Sequence, residues 1–298
     1  MAYRDLTTLD DFARVVDLER EIWGPGYDEV VPVPILAVTV MRGGILVGAF
    51  DGPSTTGRAQ GRPEPSRGTS ASGSSPAVSM DDDRMVGFVY SLAGIKHGKP
   101  MQWSHMAGVL DAFRGAGVGY QLKVLQRERA LAMGLDLIEW TYDPMQAMNA
   151  HLNFAKLGVI AEEYEVNVYG ESTSPLHKGN PTDRFVAEWL VRDARVEERL
   201  RGTAPLAPVL TVEPANRAQR AGEWLEPSAI DLSLDAKRIS VDIPMGFSEM
   251  LSSAPDLALE WRMATRGLFT TYFARGYRAV EFFLDRSSRT GTYLLTRK

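Results

Sequence analysis

The glycine-dense segment between residues 109 and 119 has the composition of an anion-binding turn. It reads Val109-Leu110-Asp111-Ala112-Phe113-Arg114-Gly115-Ala116-Gly117-Val118-Gly119. A predicted strand enters this segment and a predicted helix leaves it. The first turn of a helix has backbone N–H groups without partners, and the helix dipole makes that end positive. Because glycine allows positive φ angles and close approach of a ligand to the backbone, the segment predicts a pyrophosphate site.

Spacing excludes two nucleotide-binding motifs. A Rossmann Gly-x-Gly-x-x-Gly pattern counted from Gly117 needs glycine where the chain has Leu122. The sequence also lacks the Gly-Lys-Ser/Thr run of a P-loop. The pattern that fits is Arg/Gln-x-x-Gly-x-Gly/Ala, which Arg114, Gly117 and Gly119 provide. A glycine-rich turn with a packing role only is the alternative.

This pattern, in its β-α-β-α-β setting, resembles the main motif of the GNAT superfamily of N-acyltransferases. The runs HMAGV (105–109), WTYDP (140–144), NAHLN (149–153) and PTDRF (181–185) look like one subfamily of predicted GNAT acetyltransferases. Some relatives of that subfamily are thought to be N-succinyltransferases acting on amino acids. The resemblance makes residues 1–195 one GNAT domain, and it extends to the C-terminal region.

The resemblance implies acetyl-CoA or succinyl-CoA as acyl donor, without a metal. Backbone amides of the turn would hold the pyrophosphate, and the pantetheine would pair with the strand 104–110 as an added strand does. The cofactor-binding residues implied are Val109, Leu110, Arg114, Gly115, Ala116, Gly117, Val118, Gly119, Asn149, Asn153 and Phe154.

Direct attack of an amine on a thioester needs a base, a polarised carbonyl and a proton for the leaving thiolate. His105, on the predicted strand, is the first candidate base, because imidazole titrates near neutral pH. A histidine that is only packed or surface-exposed is the alternative interpretation. Glu139 and Asp143 are comparable candidates. The family's usual thiolate acid is a tyrosine, but the matching position is Phe154, which has no proton to donate. Another group, water, or weak catalysis would account for that departure, with Tyr142 and Tyr164 as the nearby phenols.

Arg184 is predicted to bind substrate, since a guanidinium suits a carboxylate of the acceptor or of a succinyl tail. A structural ion pair with Asp183 or another neighbour is an equally good interpretation. His151 and His177 are interpreted as solvated or packing residues. The chain has no cysteine and no His-Glu-x-x-His-like cluster, so no metal site is predicted.

Composition limits the class of protein. The 298 residues suffice for one large domain or two ordinary ones. A net charge of −5 argues against general nucleic-acid binding. No apolar run is long enough to span a bilayer, and the first 20 residues lack a signal core, so neither a membrane partner nor secretion is predicted. The expected location is cytoplasmic.

The predicted fold class is α/β, a mixed sheet of the GNAT fold with a C-terminal α/β extension. The predicted elements of residues 1–195 are a helix at 8–23, a hairpin of strands 36–41 and 45–50, strands 85–92 and 104–110, a helix at 115–133, a strand at 135–142, a helix at 145–157, and strands 164–169 and 184–191. Of residues 52–80, 19 of 29 are Gly, Pro, Ser or Thr, too few apolar groups to offset ordering entropy. Residues 52–83 are therefore predicted to be a disordered loop insertion.

A composition change near residues 200–215 predicts a boundary before a C-terminal α/β region at 205–298. Its predicted elements are a strand at 238–243, a helix at 257–273, and strands 277–284 and 292–296. This order repeats that of 135–191, so a degenerate half-GNAT repeat is a hypothesis. Trp261 is interpreted as core and Arg262 as rim.

Three hypotheses of function follow. The first is an enzyme that moves an acetyl or succinyl group to the amine of a small molecule such as an amino acid. The second is a catalytically weak GNAT that binds acyl-CoA as a sensing or interaction module, which Phe154 favours. The third is an interaction protein whose C-terminal region forms a homodimer contact.

Overall fold

A mixed sheet with helices packed against it forms the fold of this computed structural model. The structure describes residues 1–24, 26–52, 84–170, 179–203 and 212–297. The predicted insertion at 52–83, beyond its first residue, and His177 lie outside the described residues.

Strands and helices are interspersed along the whole of the described chain. In chain order they are β1 (Ala2–Asp5), α1 (Leu9–Trp23), α2 (Val33–Met41), β2 (Ile45–Asp51), β3 (Arg84–Lys96), β4 (Lys99–Val109), α3 (Val118–Ala132), β5 (Leu137–Tyr142), α4 (Ala147–Ala150, continued as a π-helix over His151–Leu157), β6 (Ile160–Glu165), β7 (Arg184–Leu190), α5 (Ala194–Arg201), β8 (Glu213–Pro214), β9 (Arg217–Ala221), β10 (Trp224–Ser228), β11 (Arg238–Pro244), α6 (Phe247–Ser253), α7 (Pro255–Ala274), β12 (Tyr277–Asp285) and β13 (Thr290–Arg297).

Eleven of the described strands form one sheet in the order β1-β2-β3-β4-β5-β7-β6-β12-β13-β11-β8. The β4–β5 and β11–β8 pairs are parallel, and the other neighbours are antiparallel. α1 and α3 cover opposite faces of the β3–β4 hairpin: a Cβ on Gly108 would meet Ile22 and Trp23, and one on Gly87 would meet Leu122. The predicted mixed α/β sheet is confirmed.

The N-terminal helix is set by its cap. The Thr8 hydroxyl accepts from the Asp11 amide, and the Asp11 carboxylate accepts from the Thr8 amide, which is a capping box. Phe12 and Val15, on the inward face, are buried. The predicted helix is confirmed.

The predicted strand at 36–41 is wrong, because this segment is the helix α2. Pro32 and Pro34 precede and open the helix, where a missing N–H is tolerated. Short apolar runs of β-branched residues fit either type of element, and packing decides between them. Leu36 is fully buried in the core, whereas Ile35 lies half exposed on the outer side of the helix.

Several element bounds also differ from the predictions. The β3–β4 hairpin is longer than the two predicted strands and turns through His97 and Gly98, both at positive φ. β6 begins four residues before the predicted strand at 164–169. The elements without a prediction are β1, α5, β8, β9, β10 and α6.

The C-terminal region continues the sheet of the first region. β12 lies beside β6, with Ala279 opposite Ala161. The spatial order β5-β7-β6 is mirrored by β11-β13-β12 on the other side of this junction, and the half-GNAT repeat stays a hypothesis. The strand and helix predictions for 238–296 are confirmed to within a few residues.

Two arginines on α7 fasten the C-terminal region to the first. Arg262 donates to both carboxylate oxygens of Asp143 at 2.7 and 2.8 Å, and Arg266 makes the same fork on Asp183 at 2.8 Å. Arg262 is 1% exposed, so its interpretation as a rim residue is wrong. A guanidinium can be enclosed here because it meets a carboxylate in bidentate geometry.

Removing Arg262 leaves the Asp143 carboxylate buried without its partner. We expect Arg262→Met to cost about 3–5 kcal/mol of unfolding free energy at pH 7, measured by urea denaturation. Burial raises the pKa of Asp143, but Arg262 outweighs it, and the net pKa is lowered. The pair therefore stabilises above the unfolded pKa, and the difference from wild type should shrink below about pH 4.

The control is Arg20→Met, because Arg20 makes an exposed 3.5 Å pair with Asp17. That change should cost no more than about 0.5 kcal/mol. Equal losses in the two variants would contradict the structural role of the Asp143–Arg262 pair.

Candidate functional site

The turn between β4 and α3 has the backbone shape that its glycines predict. A single 3-10 turn over Asp111–Phe113 follows the strand, and α3 begins at Val118. Gly115 and Gly117 have φ angles of +79° and +83°. A Cβ added to either would meet nothing within 4 Å, so this side of the turn is open.

The amides of the turn are available to a ligand. Within the described ranges, the amides of residues 115–120 donate to no protein acceptor, and the first helical bond runs from the Gln121 amide to the Gly117 carbonyl at 3.0 Å. These N–H groups lie at the positive end of a 15-residue helix. The arrangement can hold a phosphate-like anion.

The predicted cofactor residues of this segment lie together but have different contacts. Leu110 and Val118 are buried and anchor the turn in the core. The Arg114 guanidinium folds back onto the Val109 carbonyl at 3.1 Å and onto Asp111 at 2.8 Å. Ala116 and the glycines present mainly backbone, so recognition here falls to amides rather than to the Arg114 side chain.

β4 and β5 separate beside this turn. Their parallel pairing consists of Gln102 opposite Ile138 and Trp103 opposite Glu139. Beyond that point β4 pairs with β3 only and β5 with β7 only, as far as the chain is described. We call the resulting gap, bordered by residues 104–109 of β4 and 140–142 of β5, the split. Its β4 edge has backbone groups that an added strand or an amide-bearing ligand can pair with.

His105 is the extra residue of a β-bulge at the start of the split. Tyr90 pairs with Met106 and Ser91 with Ser104, so His105 has no partner of its own. Its exposed ring packs edge-on to Tyr90, with ring centroids 5.9 Å apart. Desolvation by neighbouring atoms lowers the pKa of His105, and the charge of Glu29 opposes that shift. The imidazole is therefore mainly neutral at pH 7.

Glu139 lies in an ion cluster away from the glycine turn. It pairs with Lys96, which also contacts Glu188 at 3.1 Å and Glu163 at 3.3 Å. Burial raises the pKa of Glu139, and the Lys96 ammonium opposes that rise. Because side chains alternate along a strand, Glu139 faces away from Trp140, which contacts Lys123 of α3.

Asp143 and Arg184 lie near each other at the end of β5. The Asp143 carboxylate is held by Arg262 and also accepts from the Met145 amide at 2.9 Å. Arg184 stands 5.3 Å from the centroid of the Tyr169 ring. Burial lowers the pKa of Arg184, and the charge of Asp143 opposes that shift. Asp183, one of the ion-pair partners predicted for Arg184, accepts two hydrogen bonds from Arg266.

The three predicted residues of α4 differ in exposure. Asn149 is exposed and Asn153 is buried, and neither is hydrogen-bonded to the glycine turn among the described contacts. Phe154 is fully buried between the rings of Tyr142 and Tyr293, at 6.5 and 5.6 Å. In contrast to the prediction, Phe154 therefore offers no surface to a ligand in this structure.

Of the nearby phenols, Tyr142 and Tyr293 are buried and Tyr164 is half-buried. Tyr142 and Tyr293 contact each other through their hydroxyls at 3.2 Å, and Tyr293 donates to the Pro144 carbonyl. Tyr164 donates to Asp183. Burial raises the pKa of all three far above the ordinary value.

His151 is half-buried on α4 and remains a packing residue. No cluster of potential metal ligands occurs among the described residues, and no described helix is long and apolar enough to cross a membrane.

Some residues near the split had no signal in the sequence. Glu29, in the segment between α1 and α2, is the charge that acts on His105 and on Tyr27. The Tyr169 hydroxyl contacts the Thr141 hydroxyl of β5 at 2.6 Å. Only tertiary structure brings these segments beside β4, so spacing along the chain could not reveal them.

Lys123 is the most unusual side chain near the split. It is buried beneath α3, where its Nζ donates to Ser104 Oγ at 2.8 Å and to Gln126 Oε1 at 3.2 Å. The same Nζ lies 3.6 Å from the centroid of the Trp140 ring. Burial lowers the pKa of Lys123 to about 7, and no charged side chain among the described residues acts on it. The hydroxyl, amide and ring contacts favour the ammonium form and oppose this effect.

A separate cleft opens at the other end of α3. It has a volume of about 540 Å³ and is lined mainly by apolar groups, among them Leu6, Val40, Ile45 and Met133. With a rise of about 1.5 Å per residue, the helix places this cleft roughly 20 Å from the glycine turn. The cleft and the amides of residues 115–120 therefore lie at opposite ends of α3. Because those amides can bind an anion, we take the glycine turn as the candidate site.

No family model and no curated protein matches the chain. Among solved structures it is similar to the NatC complex bound to Gag peptide and CoA, with 13% identity over 63% of this chain and 97% of that chain, at a TM-score of 0.44. It is also similar to a GNAT-family acetyltransferase of Streptococcus pneumoniae, with 13% identity over 63% and 96% at 0.43. A third is yncA of Salmonella typhimurium with its cofactor acetyl-CoA, with 12% identity over 65% and 95% at 0.44. Likenesses this distant carry no inference about activity.

The burial of the Lys123 ammonium should affect the free energy of unfolding in a pH-dependent way. Its pKa is about 7 when folded and 10.5 ordinarily, so the unfolded chain holds more protons between these values and stability rises with pH there. Lys123→Met keeps the apolar stem and removes the charge. We expect it to raise the unfolding free energy by about 2 kcal/mol at pH 6, with the gain fading towards pH 10.

Thermal unfolding across pH 6–10 measures this effect. Lys237→Met, a change at an exposed lysine, serves as control and should shift the curve little at any pH. A Lys123→Met protein that is less stable than wild type at pH 6 would show that the ammonium is a net stabiliser.

Proposed function

We propose that this chain is an acyl-CoA-dependent N-acyltransferase of the GNAT type, which moves an acetyl or succinyl group to the amine of a small molecule such as an amino acid. One observation carries the proposal: the open β4 edge of the split runs into a helix start whose amides at 115–120 have no partner among the described residues. A pyrophosphate joined to an amide-containing arm matches both features.

The length of the open β4 edge matches that of the acyl-CoA donor's pantetheine arm. Five residue steps from Val109 back to Ser104 span about 16 Å at roughly 3.3 Å per step. The extended pantetheine arm, a chain of about a dozen bonds, has a similar length. With its pyrophosphate on the turn and its amides on the β4 edge, the thioester would lie near Ser104 and His105, where the strands part.

His105 is assigned as the base on the acceptor side. It is exposed, mainly neutral at pH 7 and acted on by Glu29, so it can take a proton from the incoming ammonium directly or through water. Glu139 and Asp143 are less suited to this role, because Lys96 and Arg262 already hold their carboxylates.

Arg184 supports an acceptor that contains a carboxylate. It lies beside Tyr169, whose hydroxyl contacts Thr141 on the β5 side of the split. A guanidinium there can bind the carboxylate of an amino acid while the amine faces the thioester. A succinyl tail is the other carboxylate that it could bind.

The enclosure of Phe154 favours the second candidate, a module that binds acyl-CoA with weak chemistry. Thiol release from acetyl-CoA and succinyl-CoA with a panel of amino acids separates the two. Binding of either thioester without CoA formation on any amine favours the module, and amine-dependent CoA release favours the enzyme. A cytoplasmic location and a homodimer contact stay predictions.

The turn can be tested by changing Gly117. Valine there would place a β-branched side chain on the open face at a φ of +83°, blocking the approach of a phosphate. We expect Gly117→Val to weaken acyl-CoA binding at least 100-fold by calorimetry, or about 2.7 kcal/mol.

Gly222→Val is the matched control, since Gly222 also has positive φ and open surroundings but lies in the β9–β10 hairpin. It carries the same backbone strain without touching the turn. Unchanged affinity in Gly117→Val, or an equal loss in both variants, would remove the turn from the donor site.

The base assignment can be tested through pH dependence. Because its pKa lies below 6.5, His105 should give kcat/KM a rising limb on the acid side of pH 7. We expect His105→Gln to lower kcat/KM about 100-fold or more at pH 7 and to abolish that limb. His97→Gln, in the distant β3–β4 turn, should retain the wild-type profile. A preserved limb in His105→Gln would shift the role to another group.

A further inference from the structure

Ser104, Lys123, Gln126 and Trp140 form a buried polar group on the helix side of the split. Ser104 belongs to β4 and Trp140 to β5, and they are the first residues of their strands beyond the last β4–β5 pair. Lys123 contacts both, so this side chain spans the point where the strands separate. His105 lies on the opposite face, because side chains alternate along a strand and its ring packs against Tyr90.

The hydrogen-bond accounting of Ser104 leaves one hydrogen without an acceptor. A hydroxyl has two acceptor positions and one hydrogen to donate. Ser104 Oγ accepts from Lys123 Nζ at 2.8 Å and from Gln126 Nε2 at 3.1 Å, which fills both positions. Among the described residues no acceptor takes its hydrogen. Lys123 and Gln126 therefore donate to Ser104, and Ser104, at the split, is the last donor of this hydrogen-bonded chain.

Lys123 also has no carboxylate counter-ion among the residues that the structure describes. The described parts of α3, β4 and β5 pair no carboxylate with it, since Glu139 points to the other face and binds Lys96. An ammonium that is enclosed without a carboxylate gives up a proton more readily than an exposed one. Its own three N–H groups are directed at Ser104, Gln126 and the Trp140 ring.

We propose that Ser104 is the proton donor to the departing CoA thiolate and that Lys123 supplies the proton through it. This inference rests on the proposed function, which places the thioester sulfur beside Ser104. It fills the role that Phe154 cannot perform.

The step balances within the site. As the tetrahedral intermediate collapses, the C–S bond breaks and its electron pair stays on sulfur. The sulfur takes the hydroxyl hydrogen of Ser104 and forms the S–H bond of CoA. Ser104 Oγ takes a proton from the Lys123 ammonium, which becomes a neutral amine. Water entering the split after CoA leaves returns a proton to Lys123.

Turnover of acetyl-CoA by Ser104→Ala, Ser104→Thr and Lys123→Met tests the proposal. We expect Ser104→Ala and Lys123→Met each to lower kcat about 100-fold while the Kd for acetyl-CoA changes less than about threefold. Ser104→Thr, which keeps the hydroxyl, should recover most of the rate. The two losses should not add in the double variant, because the residues act as one unit. Lys237→Met should match wild type.

The pH profile separates this role from a structural one. Wild type should lose activity on the alkaline side as Lys123 gives up its proton, and both Ser104→Ala and Lys123→Met should lack that limb. A retained alkaline limb, a loss confined to affinity, or a loss seen with succinyl-CoA but not with acetyl-CoA would each overturn the assignment.

A measurement without turnover distinguishes failure of this inference from failure of the proposed function. Lysine labelled with 13C at Cε should show one resonance titrating near pH 7 that is absent in Lys123→Met. CoA should perturb this resonance and desulfo-CoA, which lacks the sulfur, should perturb it far less. Equal perturbation by both would overturn the placement of the sulfur, even for a protein that binds CoA. If neither CoA nor desulfo-CoA binds, the proposed function is wrong, and this inference, which rests on it, is wrong as well.

Discussion

The separation of β4 from β5 after only two parallel residue pairs is the constraint on which the site depends. β3 holds β4 and β7 holds β5, so the two strands are fixed on their outer sides and open between them. Unpaired strand edges inside a domain are costly because their backbone groups need partners. The helix of the crossover starts beside this edge, and its free amides add a positive end. The backbone alone thus offers hydrogen-bonding groups that suit an anion with an amide-bearing tail, which is the basis of the proposed function.

The surroundings give the two sides of the split different chemistry. His105, the bulge residue, lies on one face, and Glu29 and Tyr169 reach that face from loops. Ser104 and Lys123 lie on the other face, which α3 covers. A base and an acid on opposite sides of a thioester are what direct aminolysis requires. Arg262 and Arg266 of α7 bind Asp143 after β5 and Asp183 before β7, so the C-terminal region fixes these two strand termini.

The sequence predicted the turn and its helix because glycine, arginine and apolar spacing are local signals. It predicted the wrong element at Leu36, since a short apolar run does not say whether α1 or a strand will pack against it. It also missed the partners of Asp143 and Asp183, because Arg262 and Arg266 are more than 80 residues away in the chain. Lys123 looked like one polar residue on an amphipathic helix, and only the tertiary structure shows that it is enclosed.

A crystal structure of the protein with desulfo-acetyl-CoA tests the central claim most directly. We expect the pyrophosphate within hydrogen-bonding distance of the amides at 115–120 and the pantetheine beside residues 104–109. A ligand seated instead in the apolar cleft by Val40 and Met133, with the split empty, would contradict the assignment of the split as the donor site.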